Sequence, residues 1–203
     1  MFVQVIKGQV SDAADVQAAW NRWLDETAPG AIGWLGTTAG VTDDGTFVAL
    51  ARFESDEAAR RNSERSEQDQ WWRETAKLYT GDVTFHDYCP EVVQMGSGGS
   101  DDAGFVQVIE GRIRDIERWR QMSERWESMG NDFRPDVIGG VVALHGDGGY
   151  TNAVYFTSEA EAREGEQKDM PPEMKAMWEE EMSLHEGEPT YFDLRKPWLA
   201  SPS

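Results

Sequence analysis

The chain has 203 residues and a formal net charge of −19, from 19 Lys and Arg against 38 Asp and Glu. The acidity is shared, 8 basic against 16 acidic residues over 1–94 and 11 against 22 over 95–203. Neither half therefore offers the positive footprint that a nucleic acid or an anionic membrane requires, and neither partner is expected. Cys89 is the single cysteine, which rules out an internal disulfide or a thiolate metal cluster. No apolar run approaches the ~20 residues of a bilayer span. The chain opens directly on a strand with no charged leader before it, so a cytoplasmic location is expected.

Residues 2–7 read as a strand, with Phe2, Gln4 and Ile6 on one side and Val3 and Val5 on the other. Ser11 or Asp12 opens a helix whose Val16, Ala19, Trp20, Trp23 and Leu24 keep the i, i+3, i+4, i+7, i+8 spacing of a buried stripe; Pro29-Gly30 ends it. Residues 32–38 and 46–53 read as strands around the turn signal Asp43-Asp44-Gly45. Ser55 caps a helical segment that is polar to about residue 67 and carries Trp72, Thr75, Ala76 and Tyr79 on one face from 68 to 79. Gly81 stops it, and 83–88 makes the last strand.

That unit is then written again. Phe2-Val3-Gln4-Val5-Ile6 returns as Phe105-Val106-Gln107-Val108-Ile109, an offset of 103 that also pairs Trp23 with Trp126 and Arg60 with Arg163. After an insertion near Pro171-Pro172 the offset is 106, pairing Trp72 with Trp178, Thr84 with Thr190 and Asp87 with Asp193. A shared offset over such a length marks a duplicated domain. The order β-α-β-β-α-β is the ferredoxin-like split βαβ pattern. The expected fold class is α+β: two tandem ferredoxin-like units, 1–94 and 105–203, joined by a Gly/Ser-rich flexible linker over 95–104. The sheet face not covered by helices is expected to carry Phe2, Ile6, Phe105 and Ile109. Those residues are too apolar for water, so the units are expected to pair sheet to sheet as an intramolecular α/β barrel.

The βαββαβ order, with Phe53-Glu54-Ser55-Asp56-Glu57-Ala58 and its second copy Phe156-Thr157-Ser158-Glu159-Ala160-Glu161-Ala162, resembles the dimeric α/β-barrel superfamily. Within it, the antibiotic biosynthesis monooxygenase-like proteins are the nearest likeness. The motif is partly ordinary helix capping, so it speaks for fold more than for activity. The resemblance implies a small-molecule cleft between sheet and helices of each unit, and either a monomeric pseudo-dimer or a homodimer. It also implies, for an enzyme, oxidation of an aromatic substrate by O₂ with no cofactor. Haem-degrading members place a His on the helix that here carries Trp71-Trp72 and Met177-Trp178, so haem is not expected.

His86, His145 and His185 do not recur between the copies and form no metal-binding spacing, so no metal is expected. His86 is the best general base by residue type, and Tyr79 the other proton-handling candidate. Gln4 and Gln107, amides amid apolar strand neighbours, require partners: either they orient a substrate or they pair with each other across the pseudo-twofold. Trp72 and Trp178 are candidate walls for a small aromatic ligand, with plain core packing as the alternative. Arg52 and Tyr155 hold equivalent strand positions and complete the candidate substrate-binding set. Against this stands a protein without catalysis that keeps the fold for self-association or a stress response.

Overall fold

A computed structural model describes all residues except Tyr88, Gly130, Asn131 and Ser203. It separates the chain into two compact units, residues 1–92 with 196–203, and residues 93–195.

In the first unit β1 (Phe2–Gln9) is followed by α1 (Ala13–Glu26), β2 (Trp34–Val41), β3 (Thr46–Phe53), α2 (Asp56–Ser63), α3 (Ser66–Thr75) and β4 (Thr84–His86). The expectation that β4 runs through Tyr88 extends, at that residue, outside the described ones. Helix starts follow side-chain capping: Asp12 Oδ1 accepts from the Ala14 N–H at 2.7 Å, and Ser55 Oγ from the Ala58 N–H at 3.1 Å. β5 (Glu91–Gly96) comes next. The second unit repeats the order with β6 (Phe105–Arg112), α4 (Ile116–Met129), β7 (Val137–Leu144), β8 (Gly149–Phe156), α5 (Glu159–Glu166), α6 (Pro172–Ser183) and β9 (Thr190–Leu194). β10 (Trp198–Ala200) ends the chain.

Each sheet is antiparallel and five-stranded, in the orders β10-β2-β3-β1-β4 and β5-β7-β8-β6-β9. The α+β class and the tandem ferredoxin-like units are as the sequence implies. The duplication reaches irregularities as well: a register shift between Trp34 and Gly36 in β2 recurs between Val137 and Gly139 in β7.

Two features differ from expectation. The first is where the copies end. β5, from the tail of the first copy, lies in the second sheet beside β7, so the segment expected as pure linker begins as a strand. β10, from the tail of the second copy, pairs with β2 through Trp198↔Ala39 and Ala200↔Thr37. Each tail thus covers an edge strand of the other sheet, whose backbone groups would otherwise lack partners. Trp198 anchors its strand, buried against Phe47, Val16 and Ala39.

The second is which sheet face meets the helices. Phe2 packs with Trp23 of α1, Trp34, Phe53 and Ala59 of α2, and Ile6 with Val16 and Phe47. In the second unit Phe105 packs with Phe156 and Ala162, and Ile109 with Trp119 and Val142. The face expected to be bare is therefore the helix-covered one. Strand alternation separates the two sets of side chains but does not say which set the helices cover. The reverse faces carry Val3, Val5, Val48 and Leu50, and Val106, Val108, Val141 and Tyr155, none more than 1% exposed. The sheet-to-sheet pairing expected from sequence concerns the relation of the units, which the internal geometry of neither one fixes.

Candidate functional site in the first unit

A cleft of about 100 Å³ opens between the helix-covered face of the first sheet and α1, α2 and α3. Small residues make the space. Ala39, Ala49 and Ala51 form the strand floor, where the second unit has Val142, Asn152 and Val154 at the equivalent positions. Ala19 and Val16 of α1 correspond to Met122 and Trp119 of α4, which are 0% and 5% exposed and occupy that interior.

The walls are aromatic and braced. Trp20 stacks on Trp23 at 5.4 Å, and Trp23 meets Trp34 edge-on at 5.0 Å. Trp72 lies between Tyr79, at 5.9 Å, and Phe85, at 5.2 Å. The indole N–H groups are spent within the protein: Trp23 Nε1 donates to Gln68 Oε1 at 2.8 Å, Trp34 Nε1 to Thr37 Oγ1 at 2.9 Å, and Trp71 Nε1 to the Ala19 carbonyl at 2.8 Å. With their polar tips satisfied, these rings offer the cleft mainly apolar surface. The polar lining is Gln, Asn, Ser and Thr side chains with the Tyr79 phenol, and no lining residue is charged.

The sequence-derived candidates divide around this cleft. Gln4, Trp72 and Tyr79 line it. Burial pushes the Tyr79 phenol well above its ordinary range, so near neutrality it holds its proton and acts as a donor, not a base. His86 is turned away. Its strand partner is Val5, on the reverse face, whereas Phe85 partners Ile6 on the cleft side. Arg52 lies opposite Val3, and Tyr155 opposite Val106, so both also project from the reverse faces. Trp178 is 44% exposed; Met177, equivalent to Trp71, takes the buried place on α6. Gln4 Nε2 donates to Asp87 Oδ1 at 2.6 Å, and Gln107 Nε2 to Asp193 Oδ1 at 2.9 Å. Each amide is thus committed to an aspartate, Asp87 just after β4 and Asp193 on β9.

Sequence reasoning missed Asn62, a polar residue on a stretch with no apolar rhythm, and Gln68, which stands four residues before Trp72 on the face of the 68–79 segment. Asn62, 4% exposed, lines the cleft while its Oδ1 accepts from the Ile32 N–H and from Arg65 Nη1, each at 3.1 Å.

The second unit holds a polar cluster where the first is aromatic and apolar. Trp126 Nε1 donates to Glu181 Oε2 at 2.7 Å, and the Trp119 side chain also bonds this carboxyl. Burial pushes the Glu181 carboxyl up, against the pull of those two indoles. Tyr150 Oη lies 3.1 Å from His185 Nδ1, and burial lowers the His185 pKa, which keeps the ring neutral. Tyr150 and His185 are the equivalents of Phe47 and Tyr79, and both pairs meet edge-on, at 5.4 and 5.7 Å.

Among the described residues no group of three or more His, Cys, Asp or Glu could hold a metal ion, and no helix is long and apolar enough to cross a membrane.

No protein-family profile matches the chain, and no curated protein matches it. Solved structures do. A candidate monooxygenase from Lactobacillus acidophilus superposes with a TM-score of 0.72 at 12% identity, over 98% of this chain and 99% of that one. A second, from Fusobacterium nucleatum, gives 0.75 at 10% identity over 98% and 94%. An anthrone oxidase-like protein gives 0.62 at 10% identity over 98% and 93%. At such identities the likeness is one of fold. Along nearly its whole length this chain has the tandem ferredoxin-like architecture that these oxygenase-related proteins share.

Proposed function

We propose that the first unit binds a small neutral aromatic molecule in its tryptophan-walled cleft and acts on it as a cofactor-independent, monooxygenase-like protein. The observation that carries this reading is the set of five tryptophans, Trp20, Trp23, Trp34, Trp71 and Trp72, around a cleft with no charged lining residue. A charged ligand would lose its hydration there with no counter-charge to replace it, whereas flat apolar rings would stack on the walls. Size narrows the class. An apolar cavity of roughly 150 Å³ admits benzene, so a cleft of about 100 Å³ takes at most one ring. A larger ring system would need the cleft to widen.

The chemistry is that of a methylene or phenolic carbon oxidised by O₂, one oxygen atom entering the product and the other leaving as water with the two hydrogens removed. Such a reaction starts from a deprotonated, electron-rich ring. With His86 facing away and Tyr79 protonated, no lining side chain is a strong base, so the substrate must be one that ionises readily. That feature also favours a second reading, in which the cleft binds its ligand and does no chemistry on it.

The test titrates the protein with phenol and with benzoate, following tryptophan fluorescence, and then measures O₂ uptake with 1,4-hydroquinone. Saturable quenching by phenol and none by benzoate supports the binding reading. Protein-dependent O₂ uptake with one ¹⁸O atom from ¹⁸O₂ entering the product supports the oxygenase, because uptake that yields only quinone and peroxide inserts no oxygen. Saturable binding without incorporation leaves the binding protein alone. No saturation by phenol overturns both.

A further inference from the structure

Gln4 belongs to the cleft lining, but its amide nitrogen is engaged outside that lining, by Asp87 at 2.6 Å. An ionised carboxylate only accepts hydrogen bonds, so the end of the amide facing Asp87 must be the NH₂. The other end, the carbonyl Oε1, is then fixed in direction. The same arrangement is built in the second unit, where Gln107 Nε2 donates to Asp193 Oδ1, its cross-strand partner, and Arg163 pairs with the same aspartate. Two independent copies of the pair make an accidental surface contact a poor account of it.

We infer that Asp87 is a positioning residue that holds the Gln4 carbonyl toward the first-unit cleft as a hydrogen-bond acceptor, so that the cleft selects aromatic ligands bearing a hydroxyl donor. The inference rests on the cleft being the ligand site, as proposed above, and adds the polarity of its recognition. Three other lining acceptors are already engaged within the protein. Asn62 Oδ1 accepts two hydrogen bonds, Gln68 Oε1 accepts from Trp23, and Thr37 Oγ1 accepts from Trp34. Gln4 Oε1 thus offers an acceptor on a strand, at the floor of the site, with its rotamer set by a second residue. Placing a functional group on a strand and bracing it from a neighbour gives the directional precision that selectivity needs.

The experiment compares phenol with fluorobenzene, rings of nearly equal size of which only phenol donates, by following the indole N–H resonances of the full-length chain. The wild type is expected to bind phenol about three- to tenfold more tightly, the range of one net hydrogen bond. Asp87→Asn can both donate and accept, so it no longer dictates which end of the Gln4 amide faces it. Gln4→Met removes the acceptor itself. Both variants are expected to bring the two affinities within about twofold of each other while still binding fluorobenzene. Equal affinities in the wild type, or a phenol preference that survives both variants, overturn the inference and leave the cleft reading standing. Failure of the wild type to bind either probe removes the cleft reading and this inference together.

Discussion

Trp71 Nε1 donates to the carbonyl of Ala19 at 2.8 Å, tying α3 across to α1 at one wall of the cleft. That carbonyl lies inside α1, four residues before the Trp23 N–H, so the indole braces the helix side of the site without unwinding it. Trp71→Phe keeps an aromatic ring and removes the donor. It is expected to cost about 1–2 kcal/mol in urea unfolding, from one net hydrogen bond and some lost packing area. Ligand affinity should weaken in the same variant. An unchanged unfolding midpoint would show that the bond contributes nothing.

The space in the cleft depends on alanines in the strand floor. Ala49→Leu sends three more carbon atoms into it from a position 3% exposed. Because the extra volume enters a void, the fold is expected to survive with a stability change within about 1.5 kcal/mol. Phenol binding should fall by at least about tenfold, the equivalent of ~1.4 kcal/mol. Undiminished binding, measured by titration calorimetry, would place the ligand elsewhere.

Much of this was legible in the sequence, and the limits have physical causes. The duplicated FVQVI strand, its shared offsets and the capping serines fix the order of elements and the fold, because period, spacing and caps are local properties. Facing is not local. Strand alternation groups Phe2 with Gln4 and Ile6, yet it takes the helices to decide that this set looks into the cleft. A phase difference of one residue likewise puts Phe85 on the helix-covered face with Ile6 and His86 on the reverse face. The tail exchange is hidden for a similar reason: residues 91–96 and 198–200 are equivalent short strands, and nothing in either says which edge it will join. Asn62 gives no signal, being a polar residue in a polar stretch, whereas Gln68 shares the face of Trp72 one turn away and is masked only by its polarity.

The exchanged tail has a measurable role. Trp198 is 8% exposed and lies 6.1 Å from the Phe47 ring, so Trp198→Ala is expected to destabilise the first unit by about 3–5 kcal/mol. Loss of β10 also unpairs the β2 edge at residues 37–39. Hydrogen exchange should therefore quicken first in β2 and much less in β8 of the second unit. Uniform acceleration in both would argue that β10 does not serve the first sheet specifically.

Glu181 gives the second unit a pH dependence with a definite sign. Its carboxyl is raised on folding, chiefly by burial, so the folded state holds this proton more tightly than the unfolded chain does. Its contribution is fully present below the ordinary glutamate range and is lost as pH rises through the raised folded value. Glu181→Gln keeps a neutral acceptor for the indoles and removes the titration. The difference in Tm between variant and wild type should move in the variant's favour as pH rises from the ordinary glutamate range toward neutrality. A constant difference would mean that the carboxyl ionises in the folded protein as it does in the unfolded one.

The most direct test of the central claim is a crystal structure of the protein grown with 4-bromophenol, read from the anomalous signal of bromine. The account predicts one bromine site in the first unit, between the Ala49 and Ala51 floor and the rings of Trp20 and Trp71, with the phenol oxygen toward Gln4. Bromine found only outside that cleft, or an undisturbed cleft at saturating ligand, would contradict it.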